Sequence, residues 1–278
     1  MQNNSIFRTA TNVLDLSPSF DKAHVYLPSC FCDKRIPIAS TLGEISNIFP
    51  SVNTTHTNIP TLVLLPGSMG MPLDTEKKIR ERCCEINSIA LITLNTHAIE
   101  NRPKYLSPAS REVYEEIHRL RVAEVDQFIN RLSDIQWVDE SKMILMGISE
   151  GAVAAATYQN FQFGLRIISS WSCEENYFTE KFKLGGDLST WFLNIIGYQD
   201  QFFGVNADLS AGNKVTGHGS EILKLHPYSK IVILPKARHR IFEDSPLALQ
   251  EITSFIGLWL FEMKNRDSTN KTMNKQMT

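Results

Sequence analysis

The stretch Lys142-Met-Ile-Leu-Met-Gly147-Ile-Ser149-Glu-Gly151-Ala-Val-Ala-Ala-Ala156 decides how the rest of the chain is read. Its first part is a short apolar run of the kind that forms a strand covered on both faces. The run passes without a break into Gly-Ile-Ser-Glu-Gly and then into small residues suited to a helix lying close against a sheet. A serine in such a strand-to-helix turn is forced into a strained conformation at the sheet's C-terminal edge. The residues two before and two after it must be small to avoid collision. Gly147 and Gly151 meet that condition, so the segment reads as a nucleophile elbow rather than as an ordinary glycine-rich turn.

A serine hydroxyl is a weak nucleophile without a base, and an imidazole base needs a carboxylate to orient it. Both types follow in order. Trp191-Phe-Leu-Asn-Ile-Ile-Gly-Tyr-Gln-Asp200 is an apolar strand followed by a turn that delivers a carboxylate to the same sheet edge, 51 residues after Ser149. Asp200 is therefore the candidate acid; Asp208 is the nearest rival but follows no strand. Lys230-Ile-Val-Ile-Leu-Pro-Lys-Ala-Arg-His239 places His239 just beyond the last strand and ahead of the final helix. His218, in Thr-Gly-His-Gly-Ser, has no strand before it and reads as a loop residue. His24, His56, His118 and His226 precede Ser149 or lie away from a strand's C-terminal end.

Attack on a carbonyl also needs donors for the charge that develops on its oxygen. The N–H of Glu150, next after Ser149, is one candidate. Thr61-Leu-Val-Leu-Leu-Pro-Gly67-Ser68-Met69-Gly70 supplies the other through Ser68, or through Met69 if the turn winds differently.

Strand-like runs at residues 24–27, 61–65, 88–94, 142–146, 165–171, 191–196 and 230–234 alternate with helical patterns at 74–86, 110–132, 151–158 and 246–262. In the first of these helices Ile79, Cys83 and Ile86 form the apolar stripe. This alternation specifies an α/β chain with a doubly wound, mostly parallel sheet flanked by helices. No linker is visible, so residues 1–262 are read as a single domain. Within it, 1–60 hold N-terminal strands and an irregular connection, and residues 28–57 read as a hairpin-like edge with a mobile connection. Residues 263–278 are read as a flexible tail. Loops 97–105, 172–186 and 202–214 would build the substrate pocket, with Met69, His97, Trp171, Cys173, Tyr177, Phe202 and Phe203 as wall candidates. His97, Arg102 and Lys104 would put positive charge near the cleft, although a solvated loop is the plainer reading. Residues 173–189 have room for a short helix or small lid and for no cap domain.

Taken in order from Thr61 to the last helix, the Pro-Gly loop, the Gly-Ile-Ser-Glu-Gly elbow, Gly-Tyr-Gln-Asp and Ala-Arg-His resemble the α/β-hydrolase superfamily. Within it they resemble the dienelactone hydrolase-like branch, over about two-thirds of the chain. Trp137-Val-Asp-Glu-Ser-Lys-Met-Ile-Leu-Met-Gly-Ile-Ser-Glu-Gly looks particularly like that branch. Dienelactone hydrolases carry cysteine where this chain has Ser149, so the resemblance implies the serine-nucleophile members of the branch. Pro66 stands where a histidine often precedes the oxyanion glycine, which leaves the backbone N–H role untouched. The resemblance implies a serine hydrolase of ester, thioester or amide bonds in small substrates, without cofactor. An acyltransferase using the same residues and a non-catalytic binding protein of the same fold remain open alternatives.

Composition sets the outer limits. The 278 residues are 42% hydrophobic and 21% charged, which suits a globular core. The net charge of −2 offers no broad cationic field for nucleic acid. The densest apolar stretch near the C-terminus, residues 252–261, is half of the roughly 20 residues needed to span a bilayer. No secretory pattern opens the chain, so a cytoplasmic location is expected, with no membrane contact. The five cysteines include the adjacent Cys83 and Cys84 and are read as reduced. Cys30 and Cys32 lack a second Cys/His pair, so no metal site is expected. A small-molecule substrate is the expected partner, and a homodimer is compatible with everything above.

Overall fold

Ten strands and nine helices were located in a computed structural model of the chain, which describes residues 6–9, 13–32, 37–48, 58–160, 162–205, 207 and 215–276. The strands are β1 Ile6–Arg8, β2 Val13–Asp15, β3 His24–Leu27, β4 Ile38–Thr41, β5 Ile59–Leu65, β6 Ala90–Thr93, β7 Val138–Ile148, β8 Phe163–Ser169, β9 Trp191–Gly197 and β10 Ser229–Leu234. The helices are α1 Ser17–Asp21, α2 Leu42–Ile48, α3 Leu73–Ile79, α4 Glu85–Asn87, α5 Arg111–Asn130, α6 Glu150–Thr157, α7 Ser220–Leu223, α8 Ile241–Asp244 and α9 Leu247–Gln276.

β1 and β2 form a separate antiparallel hairpin. The other eight strands make one sheet in the order β10-β9-β8-β7-β5-β6-β3-β4. All neighbours are parallel except β3, which runs antiparallel to both β6 and β4. This is the doubly wound, mostly parallel sheet that the alternation of runs specifies. Of residues 28–57, read as a hairpin-like edge with a mobile connection, β4 pairs with β3, which precedes the segment, and α2 follows β4; residues 33–36 and 49–57 lie outside the described residues.

The central strands are apolar throughout because both faces are covered. Successive side chains point to opposite sides. Thus Val63 and Leu65 of β5 and Met143 and Leu145 of β7 enter one core with Val125 and Phe128 of α5 and Ala154 and Ala155 of α6. Leu62, Leu64, Ile144 and Met146 enter the opposite core with Ile79, Cys83, Cys84 and the Ile252, Phe255, Ile256 and Trp259 stripe of α9. The alanines of α6 let that helix sit close to the sheet. Arg166 of β8 donates to the carbonyls of Ala155, Tyr158 and Asn160, closing the helix's C-terminal end.

Two helical readings are corrected. Residues 74–86 do not form one regular helix: a π turn, Arg80–Cys84, separates α3 from α4. The extra residue rotates the apolar face, so Cys83 and Cys84 are both buried while Ile86 is 62% exposed. The last helix does not stop at residue 262 but continues to Gln276, so the backbone of the tail expected to be flexible is mostly helical. No Gly or Pro follows Glu262 to stop it. Among the described residues no helix is long and apolar enough to cross a membrane.

Candidate active site

Because β5, β7, β9 and β10 are parallel, the turns after their C-terminal ends meet at one edge of the sheet. Ser149 occupies the turn between β7 and α6 with φ 55° and ψ −113°, outside the regions comfortable for a residue with a Cβ. Its N–H donates to the Ser169 carbonyl at 2.9 Å and its carbonyl accepts from Ala152 N–H at 2.9 Å, which holds the turn in that shape. The two flanking glycines are required by contact. A Cβ on Gly147 would lie 2.1 Å from the Gly151 carbonyl oxygen, and one on Gly151 would lie 2.3 Å from that of Leu65.

Asp200 sits in the turn after β9 with 2% of its surface exposed. One carboxylate oxygen, Oδ1, accepts from the N–H groups of Phe202 at 2.8 Å and Phe203 at 3.0 Å. The other, Oδ2, lies 2.8 Å from His239 Nδ1, and His239 Nε2 lies 2.9 Å from Ser149 Oγ. The strand ends carrying acid and base are locked together: Gln199 N–H donates to the Ala237 carbonyl at 2.9 Å, and Gly197 admits that loop where a Cβ would meet the Ala237 and Arg238 carbonyls at 2.4 Å. The Phe202 ring meets the imidazole edge-on, 4.8 Å between centroids.

The structure thus brings Ser149, His239 and Asp200 into one line of contacts. His218 instead lies 3.5 Å from Thr216 Oγ1, in a loop anchored on Glu174. Asp208 and His56 lie outside the described residues.

Ser68 lies on a tight turn in which Gly70 N–H donates to the Gly67 carbonyl at 3.0 Å. Gly67 rests against the nucleophile, since a Cβ there would lie 3.4 Å from Ser149 Cβ. Ser68 is therefore beside Ser149, and Glu150 follows it at the start of α6. Met69 projects from the same turn, 94% exposed.

A cavity of about 400 Å³ opens over Ser149, with Met69, Tyr105, Tyr177, Phe178, Phe202 and Phe203 among its walls. Of the wall candidates read from sequence, Met69, Tyr177, Phe202 and Phe203 are there. Trp171, Cys173 and His97 are not. Trp171 is fully buried and packs on Phe182, 5.1 Å between centroids. Cys173 is buried behind the wall, and burial pushes its thiol well above the usual range. His97 lies against Gly70, so it supports the turn; partial burial, helped by Arg102 and Arg121, lowers its pKa.

Arg102 is corrected more sharply: it is not in a solvated loop but 6% exposed and ion-paired with Glu150. His97 and Lys104, the other two residues of that reading, are exposed. The 173–189 segment forms no helix. The Asn176 side chain accepts from Phe178 and Thr179 N–H groups, and the turn it makes delivers Tyr177 and Phe178 to the cavity. Tyr105, Phe178, Met71 and Phe242 also line the cavity without having been singled out; Tyr105 and Phe178 had a signal, each lying in a loop expected to build the pocket. Among the described residues no group of three His, Cys, Asp or Glu side chains is placed to hold a metal.

No protein-family model matches the chain, and no curated protein is similar to it in sequence. Solved structures are similar in shape. Esterase PE8 superposes with a TM-score of 0.51 at 15% identity, covering 72% of this chain and 92% of its own. Protein Atu2452 of unknown function from Agrobacterium tumefaciens str. C58 gives 0.50 at 14% identity, covering 73% and 92%. Strand order, the elbow between β7 and α6 and these superpositions agree: the chain has the α/β-hydrolase fold.

Proposed function

We propose that the protein is a serine hydrolase that cleaves a carboxylic ester of a small substrate through an acyl-enzyme. The observation that carries this reading is the unbroken line from Asp200 Oδ2 through His239 to Ser149 Oγ, at 2.8 and 2.9 Å, beside a walled cavity. In this reading His239 Nε2 takes the Ser149 proton as Oγ bonds to the carbonyl carbon. Asp200 holds the Nδ1–H tautomer and stabilises the imidazolium. The carbonyl π electrons move to oxygen, where the N–H groups of Glu150 and Ser68 receive the negative charge. Collapse expels the alkoxide, which takes the proton from His239. Water, giving its proton to the same imidazole, then attacks the acyl-enzyme and releases the acid and free Ser149.

The cavity supports an uncharged acyl or alcohol group. Aromatic and methionine side chains line it together with uncharged polar ones such as Thr75, Ser107 and Gln201, and Arg240, the one Arg or Lys among the described residues of its lining, is already paired with Glu243 at 2.9 Å. Esterase PE8, which shares the fold, is consistent with ester chemistry.

Fluorophosphonate labelling followed by peptide mass analysis, together with turnover of p-nitrophenyl esters of graded chain length, tests the proposal. Modification at Ser149 and ester turnover lost in Ser149→Ala are the expected results. Labelling elsewhere, or turnover retained by the pure variant, overturns it.

A further inference from the structure

The densest group of buried charges lies directly behind the proposed oxyanion site. Arg102, Arg121, Glu124 and Glu150 have side chains 0–3% exposed or fully buried, two cations balancing two anions. Desolvating four ions is costly, and a core selected for stability alone is served as well by apolar side chains. Their arrangement gives them another use.

Arg121, on α5, points three donors in three directions. Nη1 donates to Glu124 Oε2 at 2.7 Å and Nη2 to the Pro66 carbonyl at 3.1 Å, while Nε lies 3.6 Å from Glu150 Oε1, an ionic contact longer than a hydrogen bond. Pro66 opens the turn that carries Ser68, and Glu150 carries the other proposed donor. One guanidinium therefore touches both segments of the oxyanion site, which arise from different elements about 80 residues apart.

The surroundings keep that cation in place. Ser19 Oγ donates to Glu124 Oε1 at 2.5 Å, fixing the far end of the ion pair. Arg102 grips Glu150 from the other side and is itself held by Thr96 Oγ1 at 2.8 Å and the Pro103 carbonyl at 3.0 Å. Tyr105 stands at the cavity wall next to this group, its hydroxyl pushed above the usual range by burial and by the nearby Glu150 carboxylate.

We propose that Arg121 is a positioning residue for the oxyanion site: by holding the Pro66 carbonyl and the Glu150 carboxylate together, it sets the spacing between the N–H groups of Ser68 and Glu150. The inference rests on the serine-hydrolase reading and on those two donors. Donors act only when they are about 2.7–3.1 Å from the oxygen's position in the transition state, so a bridge between their segments governs rate more than substrate affinity. Arginine is the residue type for this task, with a planar fork of five N–H groups and a charge that persists at any working pH. A lysine has one ammonium and cannot occupy all three directions at once.

Arg121→Lys and Glu150→Gln test the proposal. The second keeps the side chain's length and an acceptor for Arg102 and carries the test if the first fails to fold. For each, kcat and KM are measured on one p-nitrophenyl ester, with Ki for a trifluoromethyl ketone, whose carbonyl adds Ser149 Oγ to give an oxyanion in the same place. In folded Arg121→Lys, kcat should fall by about 10- to 100-fold with KM within about threefold, less than loss of a whole oxyanion donor. Ki should rise by the factor that kcat/KM falls, which a general loosening of the fold would not produce. Glu150→Gln should move both quantities in the same direction by less.

Folded variants whose kcat/KM and Ki stay within about threefold of wild type overturn the clamp while leaving the hydrolase reading intact. Loss of kcat with unchanged Ki also overturns it. Wild-type protein that neither turns over esters nor labels with fluorophosphonate removes the hydrolase reading and the clamp with it.

Discussion

Replacing Ser149 by glycine and, separately, by alanine isolates the strain stored in the elbow. Both variants lose the hydroxyl and its 2.9 Å contact with His239, so that contact cancels in the comparison. What remains is the Cβ at φ 55° and ψ −113°. A residue held in such a sparsely populated region costs about 1–3 kcal/mol. Glycine adopts it freely but loses about 0.5–1 kcal/mol more than alanine through its greater freedom in the unfolded chain. The difference predicts Ser149→Gly to be more stable than Ser149→Ala by about 1 kcal/mol, or about 2–4 °C in Tm for a chain of this size. Urea titrations with equal slopes give the comparison directly. The expected order is the reverse of the usual one, since Gly in place of Ala normally destabilises. If Ser149→Gly proves the less stable by the customary margin, the elbow is not strained and the reason given for its geometry fails. Both variants should lack ester turnover.

His239→Ala should lower kcat by several orders of magnitude, as loss of a member of a triad does, whereas His218→Ala should change it by less than about tenfold; steady-state kinetics on pure protein separates the two. Gly147→Ala should destabilise by about 3 kcal/mol or more, because the new Cβ meets backbone atoms at 2.1 and 2.5 Å that cannot swing aside, and thermal melts will show it. Burial lowers the pKa of His118 to about 3, against about 6.5 in the unfolded chain. The unfolded state therefore binds the extra proton, and stability falls as pH drops from about 6.5 toward 3, by about 2 kcal/mol at pH 5. His118→Phe should flatten that acid limb of a Tm-against-pH curve, and an unchanged limb would refute the assignment. Truncation after Asn265 should leave ester turnover intact and Tm within a few degrees, since among the described side chains Met263 is the last in the hydrophobic core and the ring contact removed beyond it is that of the exposed Arg266 over Tyr228 at 5.6 Å, as kinetics and calorimetry of the shortened chain would show.

The parts of this molecule that local chemistry dictates were legible. The elbow could be read because the strand, both glycines and the serine fall within one short stretch of sequence, and part of the constraint is local: a Cβ on Gly147 would collide with Gly151. Seven runs became β3 and β5 to β10; the central ones, β5 to β9, are short and apolar because that part of the sheet is covered on both faces. Asp200 and His239 could be chosen over Asp208 and His218 because each follows a buried strand whose C-terminal end lies at the elbow's edge of the sheet. The π turn was not legible: Ile79, Cys83 and Ile86 fit a regular helix, and only packing on β6 and α9 selects Cys84 over Ile86 as the buried neighbour. The length of α9 was misjudged for the opposite reason, since its polar end has neither the stripe that announces a helix nor the breaker that ends one.

The hardest residues to read were those whose partners are distant in sequence. Trp171 and Cys173 follow β8 as closely as Asp200 follows β9, yet they point behind the wall that Tyr177 and Phe178 present to the cavity. Proximity to a strand end fixes where a backbone lies and leaves the side chain's direction to the surrounding packing. Arg102 shows the same limit for charge. In the sequence it is one of three polar residues in an ordinary loop, and a solvated face is the sound default for such a residue. Its burial depends on Glu150, 48 positions away, which itself looks like an incidental member of the elbow until its carboxylate is found beneath the Pro66 turn with two guanidiniums around it. A buried ion needs a polar partner within a few ångströms; Arg121 and Glu124 meet that need three residues apart on one helix, whereas Arg102 and Glu150 meet it through a long-range contact that no local pattern contains. In this fold those contacts gather where two chain segments must be held at a fixed separation, behind Ser68 and Glu150, and this is why the charged residues hidden from a local reading are the ones that bear on the chemistry.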